Sequence, residues 1–266
     1  MITSATFGAG GRLGNQLFQV GLLFAVAAKT GHRFGLRRGS EQIWQCFDLD
    51  IPDFVGPVTN TFNEPHGTCN FEPLVFSQPD GTAFAGYYQS CRYYDHCRPQ
   101  LTSFLRFQAR HRDIAAAEIE RLRSIYRLPV ASVHYRRTDY LDGGAMNVWG
   151  NLDADGYYER VVDRLGDDVL YLVFSDDIPW CRENVRRPHV AFSDFDPYVS
   201  LCVMTLCDIN VVANSSFSWW GAFLNQAGGT VVVPSRWFQA LLPPPHDCPD
   251  MAPPDWARIE TFRTRP

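Results

Sequence analysis

Residues 130–139, VASVHYRRTD, run an almost unbroken apolar strand into two adjacent arginines. Residues 169–177, VLYLVFSDD, run a second such strand into paired aspartates. Strands this apolar, without alternation, belong in a sheet covered on both faces. The segments around them keep the same rhythm. Helices are expected near 155–165, 178–187, 197–206 and 216–226, and further strands at His189–Phe192, Ile209–Ala213 and Thr230–Val233. Strand and helix alternating in this way, with right-handed crossovers, make a Rossmann-like parallel sheet.

The first half is less regular. A short strand, Ile2–Phe7, meets a glycine cluster at Gly8, Gly10, Gly11 and Gly14. An apolar helix follows from about Asn15 to Lys29, then Gly31 as its stop and a second strand at Arg33–Arg37. Residues 51–100 carry turn formers without a helical period. A helix at 113–126, ended by Pro129, closes the first half. The reading is an α/β chain with a domain boundary near Pro129, giving residues 1–128 and 129–240, and a proline-rich tail at 241–266.

Composition narrows the function. The 266 residues carry a net charge of −5, which argues against a nucleic-acid-binding surface. Lys29 is the single lysine beside 23 arginines, and it does not sit in a Walker loop. This excludes P-loop chemistry and makes lysine-based covalent catalysis improbable. Eight cysteines include no C-x-x-C pair, so they read as reduced core thiols rather than a metal site. Leu17–Ala28 is apolar, but at twelve residues it is too short to span a bilayer. It lacks the basic flank of a leader as well, so a cytoplasmic protein is expected.

Several motifs sit where ligands of open α/β sheets bind, beyond the carboxyl ends of strands. Gly8–Gly14 lies between a strand and a helix, where glycines admit close approach and the helix N-terminus favours an anion. With Arg37 and Arg38 it gives the NADP-oxidoreductase alternative. Arg136 and Arg137 end a buried strand, which is costly unless anions meet them, and the planar guanidinium suits phosphate. Asp139 could hold one of them in place. Asp176 and Asp177 fit a helix cap, guanine recognition or a metal. Asn214, Ser215, Ser216, Phe217 and Ser218 open a helix as a compact phosphate cradle.

Together these blocks resemble the α-1,2-fucosyltransferases, glycosyltransferase family 11. Gly11–Gln19 is similar to that family's N-terminal signature and Gly86–Ser90 to its second block. His134–Asp139 matches H-x-R-R-x-D, while Phe174–Asp177, Asn214–Gly221 and Pro234 with Trp237 match the closing blocks. Two positions depart from the pattern: Thr138 stands where glycine is usual, and Tyr135 where an aliphatic residue is common.

The resemblance implies a GT-B-like architecture, two Rossmann-like halves facing a central cleft, with 1–128 on the acceptor side and 129–240 for the GDP-sugar. It also implies an inverting, metal-independent transfer of L-fucose from GDP-β-L-fucose to the 2-OH of a terminal galactose, with no cofactor. It assigns Gly11, Asn15, His134, Arg136, Arg137, Asp176, Asp177, Asn214, Ser215, Ser216, Phe217 and Ser218 to the donor. Arg136, Arg137 and Asp139 would be catalytic, with Asp139 the first candidate for a base. Tyr87, Tyr88 and Trp44 would offer stacking faces to a galactose-terminated oligosaccharide. A lipid-linked acceptor would bring the protein to a membrane surface. A non-catalytic glycan-binding protein on the same fold is the other alternative.

Overall fold

A computed structural model describes residues 1–9, 11–65, 69–191, 196–239 and 248–262. The chain forms two compact units, Met1–Gln108 with Cys248–Pro253, and Ala109–Asp247 with Pro254–Pro266.

In the first unit, β1 (Thr3–Ser4) leads into α1 (Leu13–Thr30), then α2 (Gln42–Cys46), β2 (Asn60–Asn63), β3 (Thr82–Ala85) and α3 (Arg98–Phe104). The three strands form a parallel sheet in the order β1-β3-β2. Helix α1 is buried on almost every side, from Leu13 through Val26, which is why its sequence is apolar all round. Gly31 ends it in the left-handed conformation, donating its N–H to Ala27 at 2.9 Å. The strands expected at Ile2–Phe7 and Arg33–Arg37 are shorter than the apolar pattern suggested. The first keeps two residues and the second survives only as single bridges at Phe34 and Leu36.

The second unit opens with α4 (Ala109–Tyr126) and β4 (Val130–Tyr135). It continues with α5 (Gly143–Trp149), α6 (Tyr157–Leu165), β5 (Leu170–Ser175), α7 (Ile178–Asn184) and β6 (His189–Ala191). Next come α8 (Pro197–Met204), β7 (Ile209–Val211), α9 (Ser216–Phe223), β8 (Thr230–Pro234) and β9 (Ala257–Ile259). Six parallel strands lie in the order β6-β5-β4-β7-β8-β9. The chain winds outward from β4 in one direction, then returns to its other side to add β7. The doubly-wound switch point therefore falls between the carboxyl ends of β4 and β7. Alternate residues of β4 face opposite layers. Ala131, Val133 and Tyr135 pack with Tyr157, Tyr158 and Val161 of α6, whereas Ser132 and His134 face the other way.

Two boundaries differ from the sequence reading. The units part after Gln108, because α4 buries Ala115, Ile119 and Leu122 and packs on α8, within the second unit. Within the tail drawn at 241–266, residues 248–253 join the first unit and Ala257–Ile259 form the sixth strand, paired to β8 through Val232–Ala257 and Pro234–Ile259. Three residues with one buried side chain carry no readable strand pattern. Phe192, expected in the β6 strand, and residues 241–247 and 263–266 of the tail lie outside the described residues. Among the described residues no helix is long and apolar enough to cross a membrane.

The sheet's polar keystone is Asn210 of β7. Its amide donates to Ser132 Oγ and the Met204 carbonyl, both at 2.8 Å, and its oxygen accepts from Asn225 at 2.9 Å. Asn210→Ala removes these three hydrogen bonds, so urea unfolding should register a loss of about 2–3 kcal/mol with the far-ultraviolet spectrum unchanged.

Candidate functional site

At the carboxyl end of β4 the strand alternation sends Arg136 to the His134 side and Arg137 to the Tyr135 side. The two guanidinium-bearing side chains are 13% and 11% exposed, so their charges must be met locally. Arg136 Nη1 lies 2.8 Å from Asp176 Oδ2, and its Nη2 donates to both Asp139 oxygens at 2.5 and 2.6 Å. The ring of Tyr140 lies under it, 5.1 Å from ring centre to guanidinium carbon. Arg137 stacks on Trp180 at 3.3 Å, donates Nε to Asp177 at 3.4 Å, and leaves a buried Nη1 without a partner among the described residues.

Asp176 and Asp177 therefore build the arginine turn. Asp176 Oδ1 accepts the Arg137 N–H at 2.9 Å and its Oδ2 accepts the Thr138 hydroxyl at 2.5 Å. The threonine in the glycine position thus adds a bond to this carboxylate. Covering Asp176 would raise its pKa, but the Thr138 hydroxyl, Arg136 and the Arg137 N–H together hold it below the ordinary value. Asp177 Oδ1 caps α7 by accepting the Trp180 N–H at 3.2 Å. The oxygens of both aspartates are thus engaged by the arginines, Thr138 and the cap, the last of these being one of the roles expected for them. Among the described residues no three His, Cys, Asp or Glu side chains converge as a metal site.

His134 is buried beside Phe217, with Nδ1 unpartnered among the described residues. Burial, then the neighbouring Arg136 charge, push its pKa down to about 4, so the ring is neutral at pH 7.

The cradle after β7 divides in the same way. Asn214 Nδ2 donates to the carbonyls of Trp149 and Trp237, at 2.8 and 3.1 Å, tying the end of α5 to the loop after β8. Ser218 Oγ accepts the Ala213 N–H at 3.2 Å and is buried. Ser215 is also buried and makes no side-chain cap, whereas Ser216 and Phe217, half-buried at the start of α9, stay within reach of a ligand.

In the first unit, Gly11 makes room for Asn15, since a Cβ there would come 2.7 Å from Asn15 Cβ. Asn15 Oδ1 accepts from Gln89 Nε2 at 2.8 Å. Gln89 stands in the loop after β3 that Glu64 holds from β2. Glu64 Oε2 accepts the Tyr87 N–H at 2.8 Å, and its Oε1 the Tyr88 N–H at 2.9 Å. Burial raises the Glu64 pKa, although N–H groups of Tyr88, Tyr87 and Gln89 oppose it.

The expected stacking faces do not all survive. Tyr88 is 1% exposed, with its hydroxyl on the Phe62 carbonyl, and adopts a left-handed φ of 55°. Trp44 is buried, bonded to Glu41 and overlain by Arg38. Tyr87 alone of the three remains half-exposed. The sequence reading gave no role to Glu64, Gln89 or Trp180. Gln89 lay inside a recognised block, but neither Glu64 nor Trp180 carries a local signal.

Because His134 is neutral and buried when folded, the unfolded chain binds its proton first as pH falls. Stability should be complete above about pH 6.5 and decline by up to roughly 3 kcal/mol as pH falls towards 4. Urea midpoints across that window, compared with His134→Asn, should show a shallower slope in the variant.

A model of the family described as Glycosyl transferase family 11 matches residues 76–259. An Escherichia coli alpha-1,2-colitosyltransferase is 30% identical, over 94% of this chain and 97% of that protein. Rattus norvegicus galactoside alpha-(1,2)-fucosyltransferase 2 is 27% identical over 84% of this chain, which spans 66% of that relative. In fold, the chain is similar to the crystal structure of POFUT1 in complex with GDP-fucose, with a TM-score of 0.52 at 14% identity, over 86% of this chain and 95% of that one. That neighbour shares the GT-B-like α/β architecture. With a family model matched over most of its length and a relative aligned nearly end to end, a chain whose H-x-R-R-x-D turn crowns the central strand of a doubly-wound sheet belongs to glycosyl transferase family 11.

Proposed function

We propose that this glycosyltransferase moves L-fucose from GDP-β-L-fucose to the 2-OH of a terminal galactose, with inversion and without a metal or cofactor. The observation that carries the reading is the pair of largely buried guanidiniums at the switch point of the sheet. They stand where a diphosphate would rest, with the N-terminus of α9 nearby in the same unit. The names of the relatives support fucosyl or colitosyl transfer in an α-1,2 linkage, and the fold neighbour was captured with GDP-fucose.

In this mechanism the anomeric C–O bond breaks and its electron pair passes to the β-phosphate oxygen. Arg136, assisted by Arg137, stabilises the growing negative charge. The acceptor 2-oxygen forms its bond to the anomeric carbon from the opposite face and loses its proton. Asp139 is 47% exposed and occupies the Arg136 edge that a phosphate would take. An arriving diphosphate displaces it, and the freed carboxylate becomes available to accept that proton. Tyr87 is the half-exposed aromatic suited to the sugar. A cytoplasmic site of action, with membrane contact only through a lipid-linked acceptor, completes the proposal.

Calorimetry in EDTA with GDP-fucose, GDP-colitose, GDP-mannose and NADPH tests the reading. GDP-fucose should bind without metal. Arg136→Ala should weaken binding by about 10–100-fold and slow transfer by about 10²–10³. Asp139→Asn should bind GDP more tightly than the wild type while transferring more slowly. A preference for GDP-colitose would reassign the sugar, and NADPH binding with no response to any GDP-sugar would overturn the proposal.

A further inference from the structure

We infer that Glu64 and Gln89 are positioning residues that fix which face of the Asn15 side-chain amide meets the substrate. The inference rests on the transferase reading above and deepens it, since the family resemblance assigns Asn15 to the donor without saying how its amide is oriented.

Three successive backbone N–H groups, those of Tyr87, Tyr88 and Gln89, converge on one carboxylate, Glu64. Such a row of N–H groups is an anion-binding concavity, and here the chain supplies its own anion. The clasp has left marks on its neighbours. Gly86, at φ 147°, is the only residue type that fits, because a Cβ there would come 2.6 Å from Glu64 Oε2. Tyr88 is held at φ 55°, a conformation a tyrosine adopts only under constraint. Thr6 and Gln19 bind Gly86 from the other side, through the Gly86 N–H to Thr6 Oγ1 and Gln19 Nε2 to the Gly86 carbonyl, both at 3.2 Å. These bonds hold the loop at Gly86, Tyr87 and Tyr88, and so set the direction in which Gln89 leaves it.

The Gln89 carboxamide is then pinned at both ends. Its Oε1 lies 3.9 Å from the Cys69 thiol, and its Nε2 donates to Asn15 Oδ1 at 2.8 Å. With Oδ1 engaged, Asn15 must present Nδ2. It is a half-buried donor at the start of α1, beside a glycine that leaves space for it. A donor in that place suits an oxygen acceptor, either a phosphate oxygen or a sugar hydroxyl. Were Gln89 absent, the Asn15 amide could turn and offer its oxygen instead, repelling the same atom.

The test compares wild type with Glu64→Gln, Gln89→Met and the double variant, each checked for a wild-type melting temperature. In the transfer assay each single variant should lose about tenfold in kcat/KM, and the double variant no more than the worse single, because all act through one amide. A raised KM for GDP-fucose marks the oxygen as phosphate, and a raised KM for the galactoside marks it as hydroxyl. Independently of turnover, the Asn15 side-chain amide resonances in a nitrogen–proton correlation spectrum should shift in both single variants. If either variant is lowered in melting temperature, Gln89→Asn, which shortens the reach without emptying the clasp, should still move those resonances.

Additive losses, or wild-type kinetics in Gln89→Met with unmoved Asn15 resonances, would overturn the inference. A wild type that turns over no GDP-sugar, yet shows the coupled resonances, would overturn the transferase reading and leave the positioning chain standing.

Discussion

Two like charges at the end of a buried strand govern the architecture of the second unit. Arg136 and Arg137 leave β4 consecutively, on opposite sides, and neither guanidinium is well hydrated. Isolated, they would be intolerable there. Asp176 and Asp177 at the end of the neighbouring strand meet them one for one, and Asp139 adds a third carboxylate at the rim. The register between β4 and β5, with Tyr135 opposite Ser175, brings the two turns side by side. Ser175 Oγ reinforces it by donating to the Tyr135 carbonyl. The site is therefore an electrostatic consequence of strand pairing.

The compensation is uneven. Arg136 is chelated through two carboxylates, one of them exposed and able to leave. Arg137 stacks on Trp180 and bonds Asp177, with its Nη1 buried. Arg137 thus stiffens the turn, while Arg136 keeps a replaceable partner. The first unit solves a related problem with the opposite sign. Glu64 is partly withdrawn from water and is neutralised by backbone N–H groups rather than by a cation. In both units, groups that a motif list would assign to substrate are partly used to shape the loop that presents it. This reflects how costly a loosely held polar site would be.

Much of the second unit was readable in advance. Its strands are apolar on both faces, so composition alone distinguished them, and the observed ends of the elements expected there differ from the expected ones by four residues or fewer. The first unit was harder to read, because its strands are two to four residues long and are joined by turns whose bonds run to distant side chains. The edge strand β9 was missed for the same reason: pairing to β8, not its own pattern, makes it a strand. At the site, Arg136, Arg137 and Asp139 stood out because charge following an apolar run is anomalous. The cap at Asp177 was among the expected roles, but the bonds of Asp176 to the Arg137 N–H and of Asn214 to two carbonyls were not, because each residue looks the same in sequence whether it faces a ligand or a backbone.

The sequence by itself determined the α/β class, the parallel sheet and the strand-end placement of the arginine turn, since hydrophobic periodicity and turn residues are local properties. It also carried the family motifs in order. Only the tertiary structure decided which polar groups are spent holding loops and which remain for a substrate. Tyr88 and Trp44 went into the core, Asn214 tied the end of α5 to the loop after β8, and Glu64 acquired a part. For Tyr88, Asn214 and Glu64 those outcomes depend on hydrogen-bond partners tens of residues away along the chain. A donor's choice among distant acceptors is settled by packing, which no local pattern encodes.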